Sequence, residues 1–179
     1  MSGKLIFVSG LTGAGKTTLV GKALANVNDL EVLLTYVTRP PRAGEEESYE
    51  YVFVSDEEYE LAKSKSTNWD ETVFNSIKYG SDAEAYIRDL KSGTNVIVAV
   101  TPSLDDISSM TKIYGLKPVT VWIDTPREIC EARVKGDTKR ASRIEDETVK
   151  EYFNILFTPS NNLIEDSTSF IKLIESIID

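Results

Sequence analysis

The stretch from Lys4 to Thr17 constrains this chain more than any other. Lys4 to Ser9 (KLIFVS) is a nearly unbroken apolar run, and Gly10-Leu-Thr-Gly-Ala-Gly-Lys-Thr17 follows it directly. The eight residues fit G-x-x-x-x-G-K-[ST] at every fixed position. A continuous apolar run suits a strand covered on both faces, and residues 16–26 read as the helix behind the loop. Glycines at 10, 13 and 15 let backbone amides turn inward and approach phosphate oxygens. Lys16 reaches the β- and γ-phosphates as a point charge. Thr17 offers a hydroxyl to Mg²⁺, and the helix adds its positive N-terminal end. The motif predicts a nucleotide-phosphate site and says little alone about what is done there.

Beyond the loop, strands alternate with helices. Val32–Tyr36, Asn95–Val100 and Val119–Ile123 read as further strands, and Tyr51–Val54 as a short β segment. Ser55 caps an acidic helix with Glu58 placed for a capping box. Residues 82–92 read as a helix ending near Gly93, and another runs from Pro126 to Lys135. Helices are expected over 144–156 and 168–178, with Leu163 and Ile164 as a short strand between. The alternation argues for a parallel α/β sheet with right-handed crossovers.

Totals narrow the chemistry. The 179 residues form one domain, with 41% hydrophobic residues. A net charge of −9 argues against nucleic acid or an anionic membrane as partner, and no apolar run approaches the length that spans a bilayer. There is no histidine, which removes mechanisms built on an imidazole base or ligand. Phosphoryl transfer survives that exclusion, since it depends on positioning and charge neutralisation. The single cysteine, Cys130, rules out an intramolecular disulfide framework and fits a reducing cytoplasm. Nothing in the chain specifies an oligomeric state.

A second basic segment follows the loop. Thr35-Tyr-Val-Thr-Arg-Pro-Pro-Arg-Ala-Gly-Glu45 carries Arg39 and Arg42, stiffened by Pro40 and Pro41. Guanidinium forks suit phosphate oxygens; composition alone leaves open a solvated basic turn beside Glu45–Glu47. Together, the phosphate loop, the Thr-Arg-Pro-Pro-Arg-Ala-Gly-Glu run, Tyr51-Val-Phe-Val-Ser55 and Tyr79-Gly-Ser81 resemble the guanylate kinases in order and spacing. The resemblance implies a P-loop three-layer α/β fold with a central parallel sheet, a small nucleoside-monophosphate-binding subdomain and a lid. It implies a core of about 1–34 and 94–179, an acceptor-binding insert of about 35–93 and a lid of about 133–143. ATP would be the donor, with Mg²⁺, contacted by Gly10, Gly13, Ala14, Gly15, Lys16, Thr17 and Thr18. Arg39, Arg42, Tyr51 and Tyr79 would hold the acceptor phosphate, and Thr35, Asp70 and Ser81 would face the base. Asp70 stands where the family has a longer glutamate, and a surface carboxylate beside Trp69 is the other reading.

The basic run at 133–143 supplies Arg133, Arg140 and Arg143 as expected catalytic partners of Lys16, closing over the transferred group. A solvated helix end accounts for the same residues. Asp137 stands where the family often has a second arginine. The third apolar strand departs further: Ala99 and Thr101 replace the family's Asp-x-Asp. Asp105, Asp106 and Asp124 are the nearby carboxylates. The expected activity is therefore ATP-dependent phosphorylation of a nucleoside monophosphate, GMP or dGMP first. Other deoxynucleoside monophosphates and ribose 1,5-bisphosphate are alternative acceptors. A non-catalytic binding module of the same fold is the alternative outside enzymes, and Lys16 and Thr17 argue against it.

Overall fold

The apolar run forms β1 (Leu5–Ser9), with all five residues buried. The computed structural model describes residues 2–42, 45, 48–100, 108, 111–135 and 147–179. Within them β1 pairs in parallel with β7 (Asn95–Ala99) on one side and β8 (Val119–Ile123) on the other. β2 (Leu30–Val32) continues the sheet beyond β7, and β9 (Ile155–Phe157) beyond β8, both in parallel. The five-stranded order is β2-β7-β1-β8-β9.

Side chains alternate along β1, so its two faces fill two cores. Ile6 and Val8 join Leu19, Val20 and Ala23 of α1 (Lys16–Asn26) and Phe170 and Ile174 of α5 (Leu163–Ile178). Leu5 and Phe7 meet Ala83, Tyr86 and Leu90 of α3 (Ala83–Ser92). The result is helix, sheet, helix. From β1 the chain crosses through α1 to β2 on one side, whereas β8 and β9 lie on the other. Such a reversal opens a crevice at the carboxyl end of the central strand. The glycine loop sits there.

A second, four-stranded sheet has the order β4-β3-β6-β5, built from β4 (Tyr51–Phe53), β3 (Thr35–Val37), β6 (Ile77–Asp82) and β5 (Trp69–Phe74). β3 and β4 run parallel, and the other pairs are antiparallel. Asn75 and Ser76, at φ of 50° and 62°, form the two-residue turn between β5 and β6. Positive φ at both positions matches the twist of a hairpin. Helix α2 (Asp56–Lys65) opens with the expected capping box between Ser55 and Glu58, worth about 1 kcal/mol. It covers one sheet face through Tyr59, which packs edge-on against Trp69 at 5.5 Å and is fully buried. Gly80 is required beneath them, since a Cβ there would lie 2.3 Å from the Tyr59 hydroxyl and 2.4 Å from Trp69 Nε1.

Three sequence expectations change. The strand expected at Val32–Tyr36 is two strands in different sheets. The Leu33 amide still bonds Ile97 of the main sheet at 3.0 Å, while the Thr35 amide bonds Glu50 at 2.9 Å. An uninterrupted Val-Leu-Leu-Thr-Tyr pattern does not mark that change of partner. Leu163 and Ile164 open α5 instead of forming a strand, because the Asn162 side chain accepts from the Ile164 and Glu165 amides. The helix expected over 144–156 is, in its described part, a 3₁₀ turn over Glu147–Tyr152 followed by the strand β9. Among the described residues, no helix is long and apolar enough to cross a membrane.

Candidate active site

The phosphate loop is shaped by its packing. Gly10, Gly13 and Gly15 hold φ of 146°, 90° and 102°, values that other residues rarely adopt. Gly13 also lies against α4 (Arg127–Val134), where a Cβ would come within 2.6 Å of the Cys130 carbonyl oxygen. Buried Thr125 donates to the Ala14 carbonyl at 3.0 Å, tying the loop to the end of β8. Gly15 caps α1 with no side-chain hydrogen bond, so the first-turn amides face the loop's interior without a protein acceptor from the cap. Lys16 Nζ folds over the loop and donates to the Gly10 and Leu11 carbonyls at 2.5 and 3.0 Å. Arg133 approaches from α4, its Nη1 donating to the Gly13 carbonyl at 3.0 Å and the Ala14 carbonyl at 3.4 Å. Thr17 and Thr18 are exposed at the start of α1.

Acceptor candidates scattered over residues 35–81 converge through strand register. Residues directly opposite each other in a sheet share a face. Thr35 opposes Tyr51, Val37 opposes Tyr79, and Asp70 opposes Ser81. Thr35 Oγ1 and Ser81 Oγ lie 3.5 Å apart, and Ser81 donates to the Leu34 carbonyl at 2.9 Å. One face therefore carries Thr35, Tyr51, Asp70, Tyr79 and Ser81, opposite the face that α2 covers.

Arg39 lies at one end of this face, only 9% exposed. Its guanidinium sits 5.6 Å from the Tyr51 ring centroid and 5.4 Å from that of Phe53, within cation–π range. Its Nη1 and Nη2 donate to the two oxygens of Glu45 at 2.6 and 3.3 Å. The Arg42 amide donates to the same carboxylate at 3.0 Å, and the Arg42 guanidinium stands 3.8 Å away. Arg39 Nε is buried without a hydrogen-bond partner among the described residues. Burial alone would raise the Glu45 carboxyl, but Arg39 and Arg42 outweigh it and hold the carboxyl below its ordinary range. Burial would likewise lower the Arg39 guanidinium, but Glu45 and the Tyr79 hydroxyl raise it. Burial, with Glu50 nearby, pushes the Tyr51 hydroxyl up to about 12, so it is a hydrogen-bond donor at neutral pH.

The two regions meet at Tyr49 and Glu50. The Tyr49 hydroxyl donates to the Thr17 carbonyl, and its ring covers Gly21, where a Cβ would come within 2.9 Å. Thr17 Oγ1 donates to Glu50 Oε1 at 3.3 Å, and Glu50 is itself buried, at 9% exposure. That burial pushes its carboxyl above the ordinary range, with Thr17 and Lys16 acting in the other direction.

The sequence reading missed Glu50 and Thr125. Glu50 looks like one more member of an acidic stretch, and only tertiary packing sets it apart. Buried Tyr114, whose hydroxyl has no hydrogen-bond partner among the described residues, also lay outside that reading. Ala99 ends β7, as expected. Asp124 pairs with Lys150 at 3.1 Å. Thr101, Asp105, Asp106, Asp137, Arg140 and Arg143 lie outside the described residues, as does the expected lid beyond Lys135.

For Mg²⁺, the Thr17 hydroxyl backed by the Glu50 carboxylate is a pairing of hydroxyl and carboxylate set beside the phosphate loop. No group of three or more acidic, cysteine or histidine side chains gathers as a metal cluster among the described residues. A hydroxyl with a carboxylate behind it fits a hard cation that keeps several waters and takes its other ligands from nucleotide phosphates.

Comparison with known proteins agrees with this arrangement. The sequence model of the family described as guanylate kinase matches residues 2–174. A guanylate kinase of Desulfotalea psychrophila is 30% identical over 149 residues, covering 83% of this chain and 70% of that protein. One from Rubrobacter xylanophilus is 33% identical, covering 80% and 73%. One from Neisseria gonorrhoeae is 33% identical, and there the matched stretch spans 75% of this chain and 64% of the relative's length. The solved guanylate kinase of Anaplasma phagocytophilum shares the fold, with a TM-score of 0.66 at 17% identity over 98% of this chain and 86% of that one. With the match running from residue 2 to residue 174, through both sheets and the segment that joins them, this chain belongs to the guanylate kinase family.

Proposed function

We propose that the protein transfers the γ-phosphoryl group of ATP to the phosphate of GMP or dGMP, giving ADP and the nucleoside diphosphate. One observation carries the reading. The Arg39–Arg42 segment already grips a two-oxygen anion, the Glu45 carboxylate, at the edge of a polar sheet face linked directly to the phosphate loop. A phosphate presents the same paired oxygens to the same fork.

In this reading the loop amides, Lys16 and the start of α1 bind the donor phosphates. Thr17 is the protein ligand for Mg²⁺, which supplies charge neutralisation at those phosphates. Arg39, Arg42, Tyr51 and Tyr79 orient the acceptor phosphate, and Thr35, Asp70 and Ser81 contact the guanine. An acceptor phosphate oxygen bonds to the γ-phosphorus, and the bond to the β–γ bridging oxygen breaks. The electron pair leaves with ADP. No general base is needed, since the attacking oxygen is already anionic. Arg133 braces the loop carbonyls, and with Arg140 and Arg143 it is assigned to the lid of about 133–143. The insert of about 35–93 is assigned to the acceptor. The cytoplasm is the proposed location, in keeping with a single buried cysteine.

Ala99 at the end of β7 favours one second reading, a broader choice of base within the same chemistry. A coupled assay of ADP formation over all ribo- and deoxynucleoside monophosphates, plus ribose 1,5-bisphosphate, tests both. Turnover with GMP and dGMP is expected. Turnover with dTMP or dUMP but not with either guanine nucleotide would overturn the guanine assignment, and turnover with no acceptor would overturn the kinase.

A further inference from the structure

We propose that Glu50 is a positioning residue for the donor-side Mg²⁺, acting through the Thr17 hydroxyl; the proposal rests on the donor reading above. A threonine hydroxyl has one proton and two lone pairs. With the proton given to Glu50 Oε1, both lone pairs of Thr17 are left for a cation, and the hydroxyl cannot turn its hydrogen toward that cation.

The placement of Glu50 is built in from several directions. Its backbone carbonyl accepts from the Thr35 amide at 2.9 Å, and its own amide donates to Ser48 Oγ at 3.2 Å. Its neighbour Tyr49 is fastened to the Thr17 carbonyl and pressed on Gly21. The carboxylate is thus carried to α1 by the residues that lead into β4. An ionised carboxylate offers about four acceptor sites, yet the Glu50 side chain makes one hydrogen bond among the described residues, and that one is long. Burying a charge so sparsely satisfied costs several kcal/mol unless a cation or further donors complete it. A hydrated divalent cation on Thr17 supplies both, through its charge and the protons of its waters. β7, beside the loop, ends in Ala99 and brings no carboxylate from the described part of that strand.

Such a carboxylate also ties metal binding to the acceptor half, because Glu50 leads directly into Tyr51. The role is positional: Glu50 touches Thr17, not the reacting atoms.

The test is calorimetric binding of ADP in EDTA and in Mg²⁺, together with Mn²⁺ titration of the ADP complex followed by electron paramagnetic resonance. Loss of an outer carboxylate partner typically costs 10- to 100-fold in metal affinity, so E50A should lose about that much of Mn²⁺ affinity and of the Mg²⁺-dependent tightening of ADP. In EDTA its ADP affinity should match the parent's. E50Q keeps an oxygen for the Thr17 proton but no charge, and should lose about threefold to tenfold, again only with metal. If E50A fails to fold, E50Q decides alone. Metal affinities equal to the parent's in the folded variants, or equal losses with and without metal, would overturn the proposal. A parent protein that binds no ADP even in EDTA would overturn the donor reading as well, which separates the two failures.

Discussion

In the proposed reading the phosphate loop and the acceptor face solve the same problem, holding a phosphate, by opposite means. The loop does it with backbone, in eight consecutive residues whose glycines are held by contacts to β8 and α4. The acceptor face does it with side chains, Arg39 and Arg42 from the segment after β3 and Tyr51 and Tyr79 from β4 and β6, brought together by cross-strand register. A backbone site tolerates little change in shape but depends on few side chains. A side-chain site depends on each charged group it presents and on the sheet that aligns them. Disturbing the loop should therefore damage donor and reaction together, whereas disturbing the sheet should separate acceptor from donor.

The largest effect is expected at Lys16. Lys16→Ala removes the loop cation proposed to meet the donor phosphates and should lower kcat by about 100- to 1000-fold, read from steady-state ADP formation. Next is Arg42→Ala, which leaves the Arg39–Glu45 pair in place. It should weaken GMP binding by about 2 kcal/mol, roughly 30-fold, while ADP affinity stays within about twofold. Calorimetry with each nucleotide checks this, and equal losses for both would break the division between the two sites. Gly80→Ala tests the sheet itself. Its Cβ has no room beneath Tyr59 and Trp69, so thermal unfolding should show a loss of about 1–3 kcal/mol. Acceptor affinity should fall and donor affinity should hold.

The smallest effect is a contrast between two glutamates five residues apart. The Glu45 carboxyl lies below its unfolded value near 4.5. Its contribution to stability is therefore complete above about pH 4.5 and is lost as pH falls through the lower folded value. Glu50 is shifted upward from the same reference, so its effect is reversed. Relative to E50Q, the parent is favoured at low pH and loses that advantage as pH rises through the raised folded value. Chemical denaturation of parent, E45Q and E50Q across pH 3–7 should give difference curves of opposite slope.

The same contrast explains what could be read before the fold was seen. The loop, β1 and α1 were legible because their chemistry is local: an apolar run, glycines at fixed spacing, then a helix that begins at Lys16. The capping box of α2 was legible for the same reason. Arg39, Arg42, Tyr51 and Tyr79 could be named from a family pattern, but periodicity does not reveal that Thr35, Asp70 and Ser81 lie side by side. That depends on the β5–β6 turn at Asn75 and Ser76, which the sequence reading passed over. The sheet change at Leu33–Leu34 was hidden inside one apolar run. Glu50 was hidden for a third reason, since its burial against Thr17 comes from Tyr49 docking on α1.

Central to this account is that two phosphate sites, one of backbone and one of arginines, serve a single transfer. A bisubstrate probe with adenosine and guanosine joined by five phosphates tests that directly by calorimetry. If both sites face one reaction, the probe should bind at least about 100-fold more tightly than ADP or GMP alone, because the second contact becomes intramolecular. Binding no tighter than the better of the two single nucleotides would contradict it.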